Sequence, residues 1–391
     1  MEIIKKEYAV VFWADSYKLG LTYHFAKLIP YLYKACPDDI DMFIVSHNSE
    51  QNVNLWNNLE HKIPPNIIIK YIDWESPECI DELCLNILIK YKKTLFHIHG
   101  QLQLKYLIPL KKRFRNKIKI LIWVHSFRNG SGFIQRFIAS SILSIMYRKW
   151  VDQVIYLSPF AWRTFSGGSF NINKNGAMFL PLSVEKFNNI ITPSSDDLPY
   201  SLNEILSSKN IFKVVYLATF NKNKGHRWLL EGCIPVLKEH SNVRLIFLGD
   251  GPLKKNIEKL ALFNKVENQV LCPGRIHRDF VPWVLQQCNV ALAGTGSENV
   301  GHNAIEPYLA GIPVIGTRVG SAEYLIQDFN TGIGIGHKNL KQLTNALSFS
   351  VENPQLLYEM GNRGKSICEI LFTHEYVSSA LFQIYRVVLN E

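Results

Sequence analysis

Residues 289–317 read NVALAGTGSENVGHNAIEPYLAGIPVIGT. An apolar run closes at Gly294, a glycine-rich loop follows, a helix-length stretch ends at Gly311, and a second apolar run, IPVIGT, occupies 312–317. Two short apolar runs joined through a helix mark neighbouring parallel strands, because a parallel pair needs a long crossover where an antiparallel pair can use a tight turn. The alternation extends outward. Upstream lie FKVVYLA (212–218), VRLIFLG (243–249) and QVLCPG (269–274), with helical stretches such as LKKNIEKLALF between them, and downstream lies GIGIG (332–336).

An earlier series repeats the pattern: YAVVFW (8–13), DMFIVS (41–46), IIIKYI (67–72), TLFHIH (94–99), KILIWVH (119–125) and QVIYLS (153–158), again at helix-length intervals. Such an order predicts parallel sheets covered by helices on both faces. Between the two series, TPSSDDLPYSLNEILSSKN (192–210) is rich in Ser, Pro, Asp and Asn and reads as a connection. The expected organisation is therefore an α/β chain of two doubly wound, Rossmann-like domains facing a cleft. The expected boundaries are 1–191 for the first domain, 192–210 for a linker and 211–373 for the second domain, with 374–391 a final helix that can pack back on the first.

The composition suits two folded domains. Of 391 residues, 47% are hydrophobic, 12% aromatic and 19% charged, which excludes a disordered or collagen-like chain. With 43 Lys+Arg against 33 Asp+Glu the net charge is +10, which favours an anionic partner. Seven cysteines without a C-x-x-C pair read as reduced thiols. No long apolar run opens the chain or interrupts it, so the expected location is cytoplasmic. The densest charge is KYLIPLKKRFRNKIK (105–119), with seven cations and no acid. It reads either as a solvated face or as a patch for peripheral attachment to an anionic membrane, with Tyr106, Leu107, Ile108, Leu110 and Phe114 available to touch lipid. No nucleic-acid-binding module accompanies the basic residues.

In open α/β sheets ligands sit at the carboxyl ends of strands, so the chemistry is sought in the loops there. After the strand at 212–218 come Lys222, Lys224, His226 and Arg227, with Gly225 at the turn into a helix; cations there can neutralise a diphosphate. Glu298 and Glu306 bracket the loop-to-helix turn of the opening stretch. Glu306 is expected in the first helical turn, where the dipole favours its charge. The structural alternative is that Asn303 and Glu306 only cap the helix. His97 and His99 point to one face of a strand, but no third ligand stands near for a metal. GIGIG and GDG fail the spacing of a dinucleotide fingerprint.

In the order KG (224–225), GDGP (249–252), PGR (273–275), the two glutamates 298 and 306, AGIPVIGT (310–317) and GSAEYLIQD (320–328), residues 211–332 resemble the donor domain of the family 4 glycosyltransferases, retaining enzymes of GT-B fold. The resemblance extends more weakly to Gly20, HIHG (97–100), WVHS (123–126) and LSPFAWRTF (157–165). It implies that Lys224 contacts the donor diphosphate, Glu306 binds the ribose hydroxyls, and Glu298 binds the donor sugar beside the backbone N–H groups of Asn299, Val300 and Gly301. Gly274 and Arg275 would border the base, Gly20 would admit the phosphates, and His125, unless it is a core histidine, would lie near the transferred sugar.

The chain departs from the family in three places. Thr219 stands where the family commonly has Arg, so Arg227 or Arg275 is a candidate replacement. Leu19-Gly20 replaces a Gly-Gly, and Pro307 follows the second glutamate. The implied activity is metal-independent transfer from a UDP- or GDP-linked sugar, without cofactor, to a saccharide, expected to be lipid-linked, in surface polysaccharide synthesis (capsule, O-antigen or related). A phosphorylase or epimerase of the same fold, or a non-catalytic nucleotide-sugar-binding protein, is the alternative.

Overall fold

Both series of apolar runs form parallel sheets. The structure, a computed structural model, describes residues 6–13, 19–36, 38–58, 64, 67–73, 77–99, 103–124, 145–157, 175–178, 184–294 and 302–390. The first sheet contains β1 (Tyr8–Trp13), β2 (Ile40–His47), β3 (Ile68–Ile72), β4 (Lys93–Ile98), β5 (Ile118–Val124), β6 (Gln153–Tyr156) and β7 (Asn175–Ala177), in the order β3-β2-β1-β4-β5-β6-β7. The second contains β8 (Phe212–Leu217), β9 (Val243–Leu248), β10 (Val270–Gly274), β11 (Val290–Ala293), β12 (Val314–Thr317) and β13 (Gly332–Ile335), in the order β10-β9-β8-β11-β12-β13. Each is the doubly wound order that reverses beside its first strand. In the second sheet this puts β11 next to β8, with Val214 opposite Val290.

Helices bury the sheets on both faces, which is why the strands read as unbroken apolar runs rather than alternating ones. The helix His226–Glu239 contributes Trp228, Leu229, Cys233, Val236 and Leu237 to the core under β8 and β9, at the three- and four-residue spacing of one helical face.

The chain divides into two compact units. One comprises 1–157, 161–182 and 372–391, the other 158–160 and 183–371. The stretch 192–210, read as a linker, lies inside the second unit: Leu202 and Leu206 of the helix Tyr200–Ser207 are buried, and that helix packs against β10. Its polar residues face water while two leucines one turn apart hold it down.

The last helix, His374–Asn390, folds into the first unit against the helix Leu19–Ala35 and β4. Val377, Leu381, Phe382, Tyr385 and Val388 form its buried stripe. Lys93 Nζ donates to the Leu389 carbonyl at 2.8 Å, a cation at the negative end of the helix. Tyr385 Oη meets His97 Nδ1 at 2.5 Å. His97 is thus fully buried between Phe12, Trp123 and Tyr385.

Candidate functional site

In the second sheet the strand order reverses between β8 and β11, and in doubly wound sheets ligands bind at the carboxyl ends of the strands at such a point. β8 leads into the single turn Lys222–Lys224, then Gly225, then the helix His226–Glu239. Gly225 has φ +74°, and a Cβ there would lie 2.3 Å from Trp228 Nε1 and 2.9 Å from the Gly294 carbonyl oxygen. Only glycine fits this left-handed position. The close approach to Gly294 sets the Lys224 turn against the start of the loop that follows β11.

Lys224 is half-buried, and burial pushes its ammonium below the ordinary lysine range. Lys222 is exposed. Arg227 is 79% exposed and pairs at 2.9 Å with Glu231 one turn along its own helix. Thr219 is exposed, its hydroxyl accepting from Asn221 Nδ2 at 3.0 Å. His226 is buried and stacks on Phe220 with ring centroids 4.2 Å apart. Burial pushes the pKa of its imidazole down to about 4, so it is neutral at physiological pH.

Glu306 lies on the helix His302–Leu309 that follows β11. It is the fifth residue, one turn further in than its sequence context suggested, and so is not held ionised by the helix start. Burial instead raises its carboxyl to about 7, against the opposing pull of Arg278 and Lys186. Arg278 lies in the single turn Arg278–Phe280 beyond β10; Lys186 is ion-paired at 2.7 Å with Asp279 of the same turn. Asn303 is not the helix cap: it is inside the first turn, 7% exposed, with its side chain beside the Tyr216 hydroxyl. Pro307 sits within the helix, which runs on through it; the Pro307 carbonyl accepts from Ile312 N at 3.0 Å.

Gly274 closes β10 with φ +94°, and its carbonyl accepts from Gly249 N at 3.0 Å, tying the ends of β9 and β10 together. Arg275 next to it is exposed. Gly249 has φ +142°, and a Cβ there would meet the Ala218 carbonyl oxygen at 2.1 Å, so the GDGP turn lies directly against the chain leaving β8.

The structure therefore brings Lys224, Gly274 and Glu306 to the carboxyl ends of three strands of one sheet. Glu298, Asn299, Val300, Gly301 and His125 lie outside the described residues. Gly20 is the second residue of the helix Leu19–Ala35, inside its first turn rather than in a preceding loop. Sequence reasoning did not single out Tyr216, Arg278 or Lys186. Tyr216 looked like one more apolar strand residue, and the two cations come near Glu306 only through the fold. Among the described residues no group of three or more His, Cys, Asp or Glu is placed to hold a metal ion.

The basic run 105–119 also reads differently in three dimensions. Lys111 is buried and paired with Asp152, Lys119 lies 3.9 Å from the same carboxylate, and Lys117 Nζ donates to the Leu88 carbonyl at 3.2 Å. Leu107 and Leu110 are buried, and Tyr106, Ile108 and Phe114 are partly buried against the core. Lys105, Lys112, Arg113 and Arg115 are the exposed cations of the run.

The fold and the position of the site define a class: two doubly wound domains with the GT-B architecture of glycosyltransferases. HepE of Anabaena, solved in complex with UDP, superposes over 97% of this chain and 100% of its own with a TM-score of 0.72 at 14% identity. Residues 202–367 match the family model described as glycosyl transferases group 1. The alpha-D-kanosaminyltransferase of Streptomyces kanamyceticus is 20% identical over 173 residues, 44% of this chain and 45% of the relative. The lipopolysaccharide core biosynthesis glycosyltransferase LpsE of Rhizobium meliloti is 24% identical over 171 residues, 44% of this chain and 48% of the relative. The chain spans about half the length of these curated relatives.

Proposed function

We propose that the chain is a glycosyltransferase that moves a sugar from a nucleoside-diphosphate donor to a saccharide acceptor. The observation that carries the reading is that a half-buried cation follows β8 and a buried carboxylate lies on the helix after β11, its neighbour in the sheet. A diphosphate needs the first and a ribose diol the second. HepE crystallised with UDP and with UDP-glucose supports a uridine or comparable donor.

In this reading the Glu306 carboxylate accepts hydrogen bonds from the two ribose hydroxyls. Lys224 faces the diphosphate, with Lys222 beside it and the N-terminus of the helix His226–Glu239 adding backbone N–H groups. As the glycosidic bond breaks, negative charge grows on the β-phosphate. A fixed ammonium and oriented N–H groups stabilise that charge without reorganising. Gly274 and Arg275 border the base, and the family resemblance assigns Gly20 to the phosphates and His125 to the transferred sugar. Glu298 and the backbone of Asn299, Val300 and Gly301 hold the donor sugar. Attack from the face that the phosphate leaves gives retention of configuration. The acceptor is a lipid-linked saccharide of a surface polysaccharide, a role in keeping with LpsE as a glycosyltransferase of lipopolysaccharide core biosynthesis.

The test is incubation with UDP- and GDP-sugars and an acceptor extract, reading nucleotide release and the anomeric configuration of the product by NMR. Acceptor-dependent release with the donor's configuration kept is expected. Release without acceptor dependence, or an inverted product, would overturn the reading.

A further inference from the structure

A cleft of about 440 Å³ lies wholly within the second unit. Asn289 and Pro313 on its lining directly precede β11 and β12, which run parallel, so the cleft opens at the amino ends of these strands. Lys224 and Glu306 follow strands of the same sheet, at its carboxyl ends, so the cleft is on the far side of the sheet from them. Its other wall is the helix Pro354–Leu371, which supplies Leu357, Tyr358, Asn362 and Lys365. The walls are fixed by close backbone packing: a Cβ on Gly361 would lie 2.2 Å from the Gly311 carbonyl oxygen, and one on Gly364 2.3 Å from the Tyr308 ring. Only glycine allows this approach, and it sets the width of the cleft before any ligand arrives.

The lining has a definite chemistry. Leu357 and Ile312 are buried and give it an apolar floor. Tyr358 is 63% exposed, and Gln286 and Asn362 are exposed beside the same space. The Tyr358 hydroxyl and the side-chain amides of Gln286 and Asn362 make no hydrogen bond to a described residue; Asn362 uses only its backbone carbonyl, which accepts from Ser366 Oγ at 3.1 Å. Among the described lining residues there is no carboxylate and one cation, Lys365, which lies 3.7 Å from Glu369. An anionic ligand would meet a cation already paired, and a cationic ligand would meet none of its partners. A side-chain amide offers a donor and an acceptor side by side, which suits adjacent hydroxyls, and an exposed aromatic ring offers a flat apolar face. A pyranose presents both: hydroxyls around its edge and C–H groups on its face.

We propose that this cleft is a second, non-catalytic binding site for a neutral saccharide, with the Tyr358 ring packing on a sugar face and Gln286 and Asn362 bonding its hydroxyls. The volume falls in the range of small-molecule sites and accommodates one or two sugar units. Such a site holds part of a glycan on the protein without touching the reacting atoms. It goes beyond the nucleotide-sugar reading and does not depend on Lys224 or Glu306.

The test uses the full chain and three neutral trisaccharides, maltotriose, cellotriose and chitotriose, with trigalacturonate as the anionic comparison, titrated at physiological salt and followed by saturation-transfer NMR. At least one neutral trisaccharide is expected to bind at millimolar concentration and more tightly than trigalacturonate. Tyr358→Ala and Asn362→Ala should each weaken it about three- to tenfold, the loss of one ring contact or one hydrogen bond. Both side chains are exposed, so the variants should keep the fold. Glu306→Ala should bind the trisaccharide as wild type does, which separates this cleft from the donor site. Failure of all three neutral trisaccharides to bind, tighter binding of trigalacturonate, or unchanged affinity in Tyr358→Ala and Asn362→Ala would overturn the proposal. A loss of trisaccharide binding in Glu306→Ala would overturn it too, because the sugar would then sit in the donor site. Absence of UDP and GDP binding would overturn the donor reading and leave this result standing.

Discussion

Glu306 is the residue on which most depends. Its carboxyl is raised to about 7 by burial, so the folded chain binds a proton there that the unfolded chain releases near the ordinary value of 4.5. Its contribution to stability is complete below about pH 4.5 and is lost as pH rises through 7. Glu306→Gln should therefore be more stable than wild type at pH 8 by roughly 1–3 kcal/mol, with the advantage vanishing near pH 4.5. Urea melts at the two pH values check this, and an equal difference at both would show that ionisation at 306 is not the cause. Function runs the other way: two ribose hydroxyls need an ionised acceptor, so nucleotide affinity of the wild type should climb between pH 6 and 8. Isothermal titration should show that Glu306→Gln binds weakly with a flat profile.

At the scale of elements, every described strand but β7 was legible in the sequence as a short, mostly apolar run. β7 escaped, being three residues long, Asn175–Ala177, with no side-chain pattern to carry a period. The helix Tyr200–Ser207 was hidden by its polar surroundings, and only Leu202 and Leu206 betray it. Lys224, Gly225 and Glu306 could be found because their residue types are unusual after a strand. Tyr216 and Lys111 could not: one hides a hydroxyl in an apolar strand, and the other hides a buried ion pair in a basic run.

The last helix makes a prediction at this scale. Leu381 is fully buried on the helix His374–Asn390. Leu381→Ala should cost roughly 2–4 kcal/mol, the usual price of a buried leucine. Hydrogen exchange should speed up in β4, whose His97 lies 288 positions before its partner Tyr385, and in β1 beside it. Faster exchange confined to β8–β13 would place the helix with the wrong unit.

For the whole molecule, the net charge of +10 invites an anionic surface, and no described helix is long and apolar enough to cross a membrane. Attachment through the basic run would rest on Lys105, Lys112, Arg113 and Arg115, since Lys111 is committed to Asp152. Each exposed cation near an anionic leaflet contributes about 1 kcal/mol. Wild type should therefore sediment with phosphatidylglycerol vesicles at low salt, and replacement of these four by Ser should release it without unfolding. Equal sedimentation of both proteins, or wild type left in the supernatant, would make the run a solvated face.

On the proposed reading, the second unit binds a nucleoside diphosphate at the carboxyl ends of β8 and β11, through Lys224 and Glu306. Calorimetric titration of the full chain with UDP and with GDP tests it most directly. Saturable binding of at least one of them is expected at pH 8, weakened about ten- to a hundredfold by Glu306→Ala, the loss of a charged hydrogen-bond acceptor. No binding of either nucleotide, or equal affinity in a folded Glu306→Ala chain, would contradict it.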